Sequence, residues 1–290
     1  MAKQKKLTKT AVKAMIKDNY TILYNPMPED IKALFPVVTC AIASEYFGLH
    51  FTMNHNGKMS GMESISTTCK VTDLCKDRIE KALQTATPGF SLKTATKYDI
   101  KKAKKALKDY IKKHPETENI IICGICFSDT QQDYMTSMTD PLARNFQILN
   151  NGIIHESWLP IINALYFRIE SFGDFASVNA VKNVLNLIRK NTAVRFGVWS
   201  KNPYFFHKVF NGKKESKPEN MNFILSSIFI NKATAIPASF EYFVDFVFTV
   251  YTEKYARVHN IVINCGARSC LTCLKCYTVN GIKFINELLK

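Results

Sequence analysis

The sequence predicts an α/β protein built on an open or partial (β/α) barrel-like parallel sheet, and three observations predict it. From about residue 119, short apolar runs alternate with amphipathic segments, which is the pattern of parallel strands joined by right-handed crossovers. Polar side chains follow these runs one after another, at the ends where parallel strands share a common mouth. The chain has 290 residues, of which 47% are hydrophobic, and this is enough for one large core without cross-links.

Six apolar runs are the predicted strands, and helical segments separate most of them. The clearest helices of this region are Val178–Lys190 and Thr252–Val258, where apolar residues recur at helical spacing. An open doubly wound sheet is the alternative to barrel-like winding. The strands are expected at Ile120–Cys123, Ala164–Ile169, Val194–Val198, Met221–Leu225, Val244–Val250 and Asn260–Asn264.

The part before this alternation predicts a mixed, partly helical N-terminal extension over 1–54, followed by an α/β core over 55–290. Residues 51–75 look loop-rich because asparagines, glycines and a run of hydroxyl side chains resist regular structure. Residues 76–86 are compatible with a helix. A basic helix is expected at Tyr98–Lys113, with Thr96 as its N-cap, and it is interpreted as an insertion at 96–114.

The formal net charge is +15, and residues 1–113 carry most of it, with 21 Lys and Arg against 10 Asp and Glu. A basic surface attracts nucleic acid or acidic partners, although such a face is often only solvated. No secretory signal and no apolar stretch of membrane-spanning length is found, which predicts a cytoplasmic protein without a membrane partner. The lysines that would contact nucleic acid are Lys101, Lys102, Lys104, Lys105, Lys108 and Lys112.

Eight of the nine cysteines fall into two groups, and a reducing cytoplasm favours metal binding or catalysis over disulfides. Four thiols within twelve residues suit zinc or an iron–sulfur cluster. Cys40 stands alone in an apolar run and is expected to be a buried small hydrophobe. The first group is Cys69, Cys75, Cys123 and Cys126, and the second is Cys265, Cys270, Cys273 and Cys276.

Reactive side chains follow the predicted strands and form the candidate catalytic set. Asp174 is predicted to act as acid or base and Lys201 to bind an anion, while Glu170 or Arg168 would orient a substrate. Polar residues also follow strands as ordinary turn chemistry, which is the simpler explanation. The predicted cofactor-binding residues are Arg168, Ser226 and Asn202.

Several motifs occur in a recognisable order along the chain. They are Gly57–Met62, Ser64–Cys69 with Cys75, Ile122–Phe127, Phe167–Asp174, Val198–Pro203, Pro218–Asn220 with Ser226 and Ser227, Val247–Val250, and Ile263–Arg268 through Cys276 and Tyr277. Through these motifs the chain resembles a family of phage and mobile-element proteins called gene product 88, over roughly residues 55–290, with residues 1–50 outside the resemblance.

The cysteine motifs of that family are similar to those of radical-SAM-like proteins. The resemblance therefore implies a partial (β/α) barrel with a [4Fe–4S] cluster and S-adenosylmethionine, in the cytoplasm of a host cell. The chain has no CxxxCxxC motif, and nearly fifty residues separate Cys75 from the CxxC at Cys123 and Cys126, which argues against cleavage of S-adenosylmethionine. The same gap suggests that the basic helix is an insertion with its own partner.

Three functions follow as hypotheses. The first is a metal- or cluster-dependent enzyme, of a radical-SAM-like redox type, acting at the carboxyl end of the parallel strands. The second is a zinc-stapled module that binds nucleic acid through its lysines without catalysis. The third is a protein that docks on a host protein, such as a defence component, and it rests on the family resemblance alone.

Overall fold

The computed structural model describes residues 7–35, 39–40, 45–55, 57–134, 136–213, 216–278 and 281–289. Within these ranges the chain forms ten α-helices and ten β-strands. The helices are α1 (Lys9–Asp18), α2 (Glu29–Leu34), α3 (Asp73–Gln84), α4 (Lys97–Lys113), α5 (Phe127–Tyr134), α6 (Thr136–Asn151), α7 (Val178–Lys190), α8 (Tyr204–Phe210), α9 (Glu253–Val258) and α10 (Cys270–Cys273). The strands are β1 (Thr39–Cys40), β2 (Glu45–Tyr46), β3 (Leu49–Met53), β4 (Glu63–Ile65), β5 (Ile161–Ile162), β6 (Tyr166–Ile169), β7 (Arg195–Ser200), β8 (Met221–Ser226), β9 (Phe246–Tyr251) and β10 (Phe284–Leu288).

Eight of the described strands form one mostly parallel sheet in the order β10-β9-β8-β7-β6-β4-β3-β2, and β1 pairs separately with β5. Strands β4 and β6 to β10 run parallel, and β3 and β2 complete one edge in antiparallel fashion. The order of the parallel strands follows the chain and never reverses, whereas a doubly wound sheet reverses at its switch point. The predicted parallel α/β sheet is therefore confirmed. The sheet is open, because β10 and β2 lie at its two edges and are not paired with each other.

Four of the six predicted strands are confirmed within a few residues, as β6 to β9. The strand predicted at Ile120–Cys123 is wrong, because Ile122–Ile125 forms a 3₁₀ helix. The strand predicted at Asn260–Asn264 is also wrong, since that segment belongs to no strand and β10 forms the sheet edge instead. Short apolar runs do not distinguish a strand from other buried backbone, which explains both errors.

The segment 51–75 was expected to be loop-rich, yet it contains the end of β3 and all of β4. The four hydroxyl side chains of the run 64–68 are buried rather than solvated, and each has a hydrogen-bond partner inside the protein. The Ser64 hydroxyl lies 3.2 Å from the Asn54 amide nitrogen, and Thr68 donates to Gln132 at 2.6 Å. A run of hydroxyls here marks a buried polar strand end and not a surface loop.

The basic helix is confirmed as α4, and its start is set by a capping box. The Thr96 hydroxyl accepts a hydrogen bond from the Asp99 amide at 3.2 Å, and the Asp99 carboxylate accepts one from the Thr96 amide at 2.9 Å. The helix ends at His114, before Pro115. The predicted helix Val178–Lys190 is α7, and Thr252 caps α9.

A large hydrophobic core fills the helix-covered face of the sheet. It joins Phe196 and Phe223 of the central strands to α7 and α8, and it also includes Val12 and Ile16 of α1. The N-terminal helix thus packs into the same core as the central strands, while the boundary at residue 54 stays a prediction. The prediction that Cys40 is buried concerns a side chain that lies outside the described residues.

A second, smaller core lies under α3 and α4 and contains the CxxC turn. Cys75, Cys123 and Leu107 are buried in it. Gly124 is wedged there: a Cβ atom at this position would lie 2.6 Å from both the Ala82 Cβ and the Leu107 Cδ2. The predicted insertion is therefore packed directly against the first cysteine group.

The opposite face of the sheet carries large polar and aromatic side chains. Arg168 of β6 lies over the Trp199 ring of β7 at 4.1 Å, and the Trp199 and Phe248 rings meet edge to face at 4.9 Å. The chain between α9 and β10, which holds the second cysteine group, packs on this face. Both cysteine groups are thus brought to one side of the molecule.

Candidate functional site

A cavity of about 1120 Å³ opens at the carboxyl end of the parallel strands. Its wall includes residues that directly follow β6, β7, β8 and β9, together with Cys69, which lies a few residues beyond the end of β4. All six predicted catalytic and cofactor-binding residues line it, together with every predicted ligand cysteine except Cys273. These lining residues are Arg168, Glu170, Asp174, Lys201, Asn202, Ser226, Cys69, Cys75, Cys123, Cys126, Cys265, Cys270 and Cys276.

The first cysteine group is assembled from three separate elements. Cys69 follows β4, and Cys75 lies in the first turn of α3. Cys123 lies in the 3₁₀ turn between α4 and α5, and Cys126 is the C-cap of that turn. A hydrogen bond with the Cys75 thiol, together with burial, raises the pKa of Cys69. Burial raises the pKa of Cys123 to about 11. These two thiols therefore stay protonated at neutral pH unless a metal ion displaces the proton.

Lys201 is the cation of this group, and it follows β7 directly. Burial lowers the pKa of its ammonium, but Asp174 and the thiolate forms of Cys123, Cys126 and Cys69 together raise it by more, so the net shift is upward and Lys201 stays charged. In return, Lys201 lowers the pKa of the Cys69 and Cys123 thiols against the effect of burial. Lys201 thus offsets part of the free-energy cost of placing negative charge on these sulfur atoms, or on a ligand bound between them.

Asp174 ties the loop after β6 to the end of β7. Its Oδ1 accepts a hydrogen bond from the Ser200 hydroxyl at 2.5 Å, and its Oδ2 accepts one from the Lys201 amide at 3.1 Å. The Asn202 amide donates in turn to the Ser200 hydroxyl at 2.8 Å. The carboxylate therefore fixes the turn that presents Lys201 to the cysteines, and it faces the cavity.

Glu170 is buried, and its carboxylate is held by the chain itself. It accepts hydrogen bonds from the Thr67 amide at 3.0 Å, the Thr67 hydroxyl at 2.8 Å and the Gly173 amide at 3.1 Å. Burial raises its pKa to about 7 despite these bonds. Its backbone φ of 61° lies in the left-handed region, which a residue with a side chain adopts rarely. Glu170 thus positions the turn that leads to Cys69.

The second cysteine group lies in a long connection between α9 and β10, and a few polar contacts anchor it. Lys58 donates to the Cys265 carbonyl at 2.7 Å, lies 3.6 Å from the Cys265 Sγ, and forms an ion pair with Glu287. Asn222 donates to the Cys276 carbonyl at 3.1 Å. Burial raises the pKa of Cys276 to about 12.

Arg168 faces this second group and, together with Lys58, supplies its positive charge. It lowers the pKa of Cys270 and Cys276, although burial raises both by more. The Arg168 Nε and the Trp199 Nε1 are buried donors, and neither has a hydrogen-bond partner within the described part of the protein. Two unpaired donors beside three thiols leave room for an acceptor, such as a thiolate or a sulfide.

Sequence reasoning missed Lys58, although it lies in the motif Gly57–Met62 that carried the family resemblance. It also placed Lys104 on an outward lysine face, and this is wrong. The side chain of Lys104 is 14% exposed and pairs with the buried Asp129 at 2.5 Å, with Lys70 as a further partner of Asp129 at 3.5 Å. A helical wheel cannot show which lysine meets a carboxylate from another element.

The predicted metal centre is not preformed. Among the residues that the structure describes, no three Cys, His, Asp or Glu side chains are grouped closely enough to hold a metal ion. The eight thiols are free. The donor types suit zinc or an iron–sulfur cluster, but a bound metal would require the thiols to converge further.

Fold and site together define an α/β protein with a cysteine-lined cavity at the carboxyl edge of its parallel strands. A comparison with family models matches the gene product 88 family over residues 4–286, and the chain belongs to that family. The match begins well before residue 55, so residues 1–50 were wrongly placed outside the resemblance. Comparison with curated proteins and with solved structures finds no match.

No helix in the described part of the chain combines the length and the apolar character that crossing a membrane requires.

Proposed function

We propose that this protein is a metal-dependent redox enzyme whose two cysteine groups bind iron–sulfur clusters in a shared cavity. The observation that supports this most is that seven of the eight grouped cysteines and all six candidate polar residues line one cavity. The cavity lies at the carboxyl end of parallel strands wound in the barrel-like sense, which is where α/β enzymes of this winding place their chemistry. Zinc in the same positions is the alternative.

The ligand set at the first site would be Cys69, Cys75, Cys123 and Cys126. Four thiolates around a [4Fe–4S] cluster carry net negative charge, and a buried charge needs a partner. Lys201 supplies that partner because it already lies beside these sulfurs and keeps its proton. Its neighbour Asp174 can take or give a proton at the cavity wall.

The second site would use Cys265, Cys270 and Cys276, with Cys273 of the same connection as a fourth ligand. Arg168 and Trp199 have the unpaired donors that an anionic cluster would accept from. A bound cluster supplies one-electron transfer. The residues of the chain hold it, exclude water and set its charge balance.

The test is elemental analysis and absorption spectroscopy of protein purified and reconstituted without oxygen. We expect iron and sulfide together with an absorbance near about 400 nm. Replacing one cysteine of each group should lower the metal content separately, with Cys69→Ser reporting on the first site and Cys276→Ser on the second. Cys40→Ser is the matched control, since Cys40 belongs to neither group.

A colourless protein with stoichiometric zinc would overturn the cluster and favour the zinc alternative, and protein without metal would overturn both. S-adenosylmethionine remains a proposal that calorimetry on the reconstituted protein can test, because cleavage requires that it first bind. The predicted host-protein partner also stays a prediction.

A further inference from the structure

The lysines of α4 differ in how far they are exposed. Lys104 points inward to Asp129, whereas Lys101, Lys105, Lys108 and Lys112 are exposed. These four are spaced by four, three and four residues, so they lie in one row along the helix. At about 1.5 Å per residue the row is roughly 16 Å long. We call it the lysine row.

The lysine row leads directly to the cavity. Lys108 and Lys112, at its C-terminal end, line the cavity wall, together with Arg78 of α3 and Arg257 of α9. The mouth also carries the exposed ring of Phe127, with 51% of its surface accessible. A linear row of cations that ends at a concave site with an exposed aromatic ring has the features of a single-strand binding path.

We infer that the lysine row guides a single strand of nucleic acid to the cysteine-lined cavity, so that nucleic acid is the substrate class of the proposed enzyme. This rests on the proposed function. Phosphates repeat about every 3.4 Å along one strand of a duplex and further apart when the strand is extended, so the row spans several of them. Phe127 offers a surface on which an unpaired base stacks, and a duplex would not expose its bases in this way.

Acidic side chains lie near the row, but none of them lies in it. The exposed Asp109 lies off the row on α4, and Lys254 at the mouth is engaged by Glu116 at 3.3 Å. Because Lys108 and Lys112 line the cavity, α4 forms part of the wall of the site and is not a separate appendage. Its positive charge therefore acts on a molecule bound in the cavity. The formal net charge of +15 also attracts an anionic molecule at long range.

The experiment measures binding of a fluorescein-labelled, mixed-sequence 20-nucleotide single strand by anisotropy, beside the same sequence as a duplex. The test variant is Lys108→Gln with Lys112→Gln. The matched control is Lys102→Gln with Lys113→Gln, which removes the same charge from exposed positions of the same helix outside the row. We expect the test variant to weaken single-strand binding about tenfold or more, to reduce the salt dependence, and the control to change affinity by less than about threefold.

The position of the strand is read by photocross-linking with 5-bromouracil. The inference requires cross-linked peptides from the cavity mouth around Phe127, and Phe127→Ala should weaken single-strand binding more than duplex binding. Any one of four results would overturn the inference. They are equal effects of the two lysine pairs, stronger binding of the duplex, competition by polyglutamate as effective as by nucleic acid, and cross-links away from the mouth.

Metal content separates this inference from the proposed function. The test variant should load as much metal as the unmodified protein, because neither lysine is a proposed ligand. Full metal loading without single-strand binding would leave the enzyme proposal standing and overturn the nucleic-acid inference. If the protein binds a single strand at the mouth but never binds metal, the proposed binding path along the lysine row would be supported and the proposed metal-dependent enzyme would be overturned.

Discussion

The two cysteine groups share a cavity but are held in different ways. The first is embedded in a hydrophobic core between α3, α4 and the CxxC turn, with Cys75 and Cys123 buried. The second lies in an extended connection, and all four of its cysteines are partly exposed. Packing therefore positions the first group, whereas a few hydrogen bonds and one aromatic ring position the second.

This difference shows that cysteine density along the chain does not measure how firmly the thiols are placed. The sequence places four cysteines of the second group within twelve residues, but its short helix α10 has only four residues and no buried ones. The first group is dispersed over 58 residues from Cys69 to Cys126 and is nevertheless fixed by tertiary packing. We expect metal binding to order the second group more than the first.

The largest expected effect is at Tyr277, which anchors the second group to the sheet. Its buried ring packs over Gly197, where a Cβ would lie 2.8 Å from the ring, and meets Tyr166 edge to face at 5.7 Å. Tyr277→Ala should lower the free energy of unfolding by about 4 kcal/mol. This loss is measured by urea unfolding, with circular dichroism as the signal, and Tyr277→Phe is the control that keeps the ring. Equal loss in both variants would show that the hydroxyl, and not packing, anchors the loop.

A pH effect of about 3 kcal/mol is expected from Glu170, which holds the turn before Cys69. Burial raises its pKa to about 7, with Asp174 as a charged neighbour that acts in the same direction. The folded state therefore binds the proton more tightly than the unfolded state. Its contribution is complete below about pH 4.5 and is lost as the pH rises through 7.

Glu170→Gln isolates this effect because glutamine keeps the shape and does not titrate. The free energy of unfolding of the unmodified protein, relative to the variant, should fall between about pH 5 and about pH 8. Urea unfolding at several pH values measures the difference. A difference that is constant over this interval would contradict the raised pKa.

Two glycines give a direct test of the comparison, because each follows the first cysteine of a cysteine motif. Gly124→Ala adds a Cβ that overlaps Ala82 and Leu107 at 2.6 Å, whereas a Cβ at Gly266 meets nothing within 4 Å. We expect Gly124→Ala to cost about 2 kcal/mol and Gly266→Ala less than about 0.5 kcal/mol. The midpoints of urea unfolding measure the loss of stability in each variant. Similar losses at both positions would contradict the proposed difference in packing between the two cysteine groups.

The smallest effect is expected at Asn222, whose amide binds the Cys276 carbonyl at 3.1 Å. Asn222→Ala should cost about 1 kcal/mol globally. It should, however, speed alkylation of Cys276 by iodoacetamide and leave that of Cys123 unchanged, as measured by mass spectrometry of labelled peptides. Faster labelling of both cysteines would show that the two groups move together.

Much of the fold could be predicted from local pattern. Helices α4 and α7 follow from helical spacing, with Thr96 as the predicted cap of α4, and β6 to β9 follow from short apolar runs between helices. The edge strand β10 could not be predicted, because Phe284–Leu288 alternates weakly and contains Asn286 and Glu287. The 3₁₀ turn at Ile122–Ile125 could not be predicted either, because its packing depends on partners far along the chain.

The sequence by itself determined the family, the parallel α/β class, the two cysteine groups and the polar residues that follow the strands. Only the tertiary structure decided that these residues share one cavity, that Lys201 serves the first group and Arg168 the second, and that Lys104 turns inward to Asp129. The physical reason is distance along the chain. Spacing and capping act within a few residues, whereas some charge partners of this cavity are separated by 25 positions, as for Lys104 and Asp129, and others by 207 positions, as for Lys58 and Cys265.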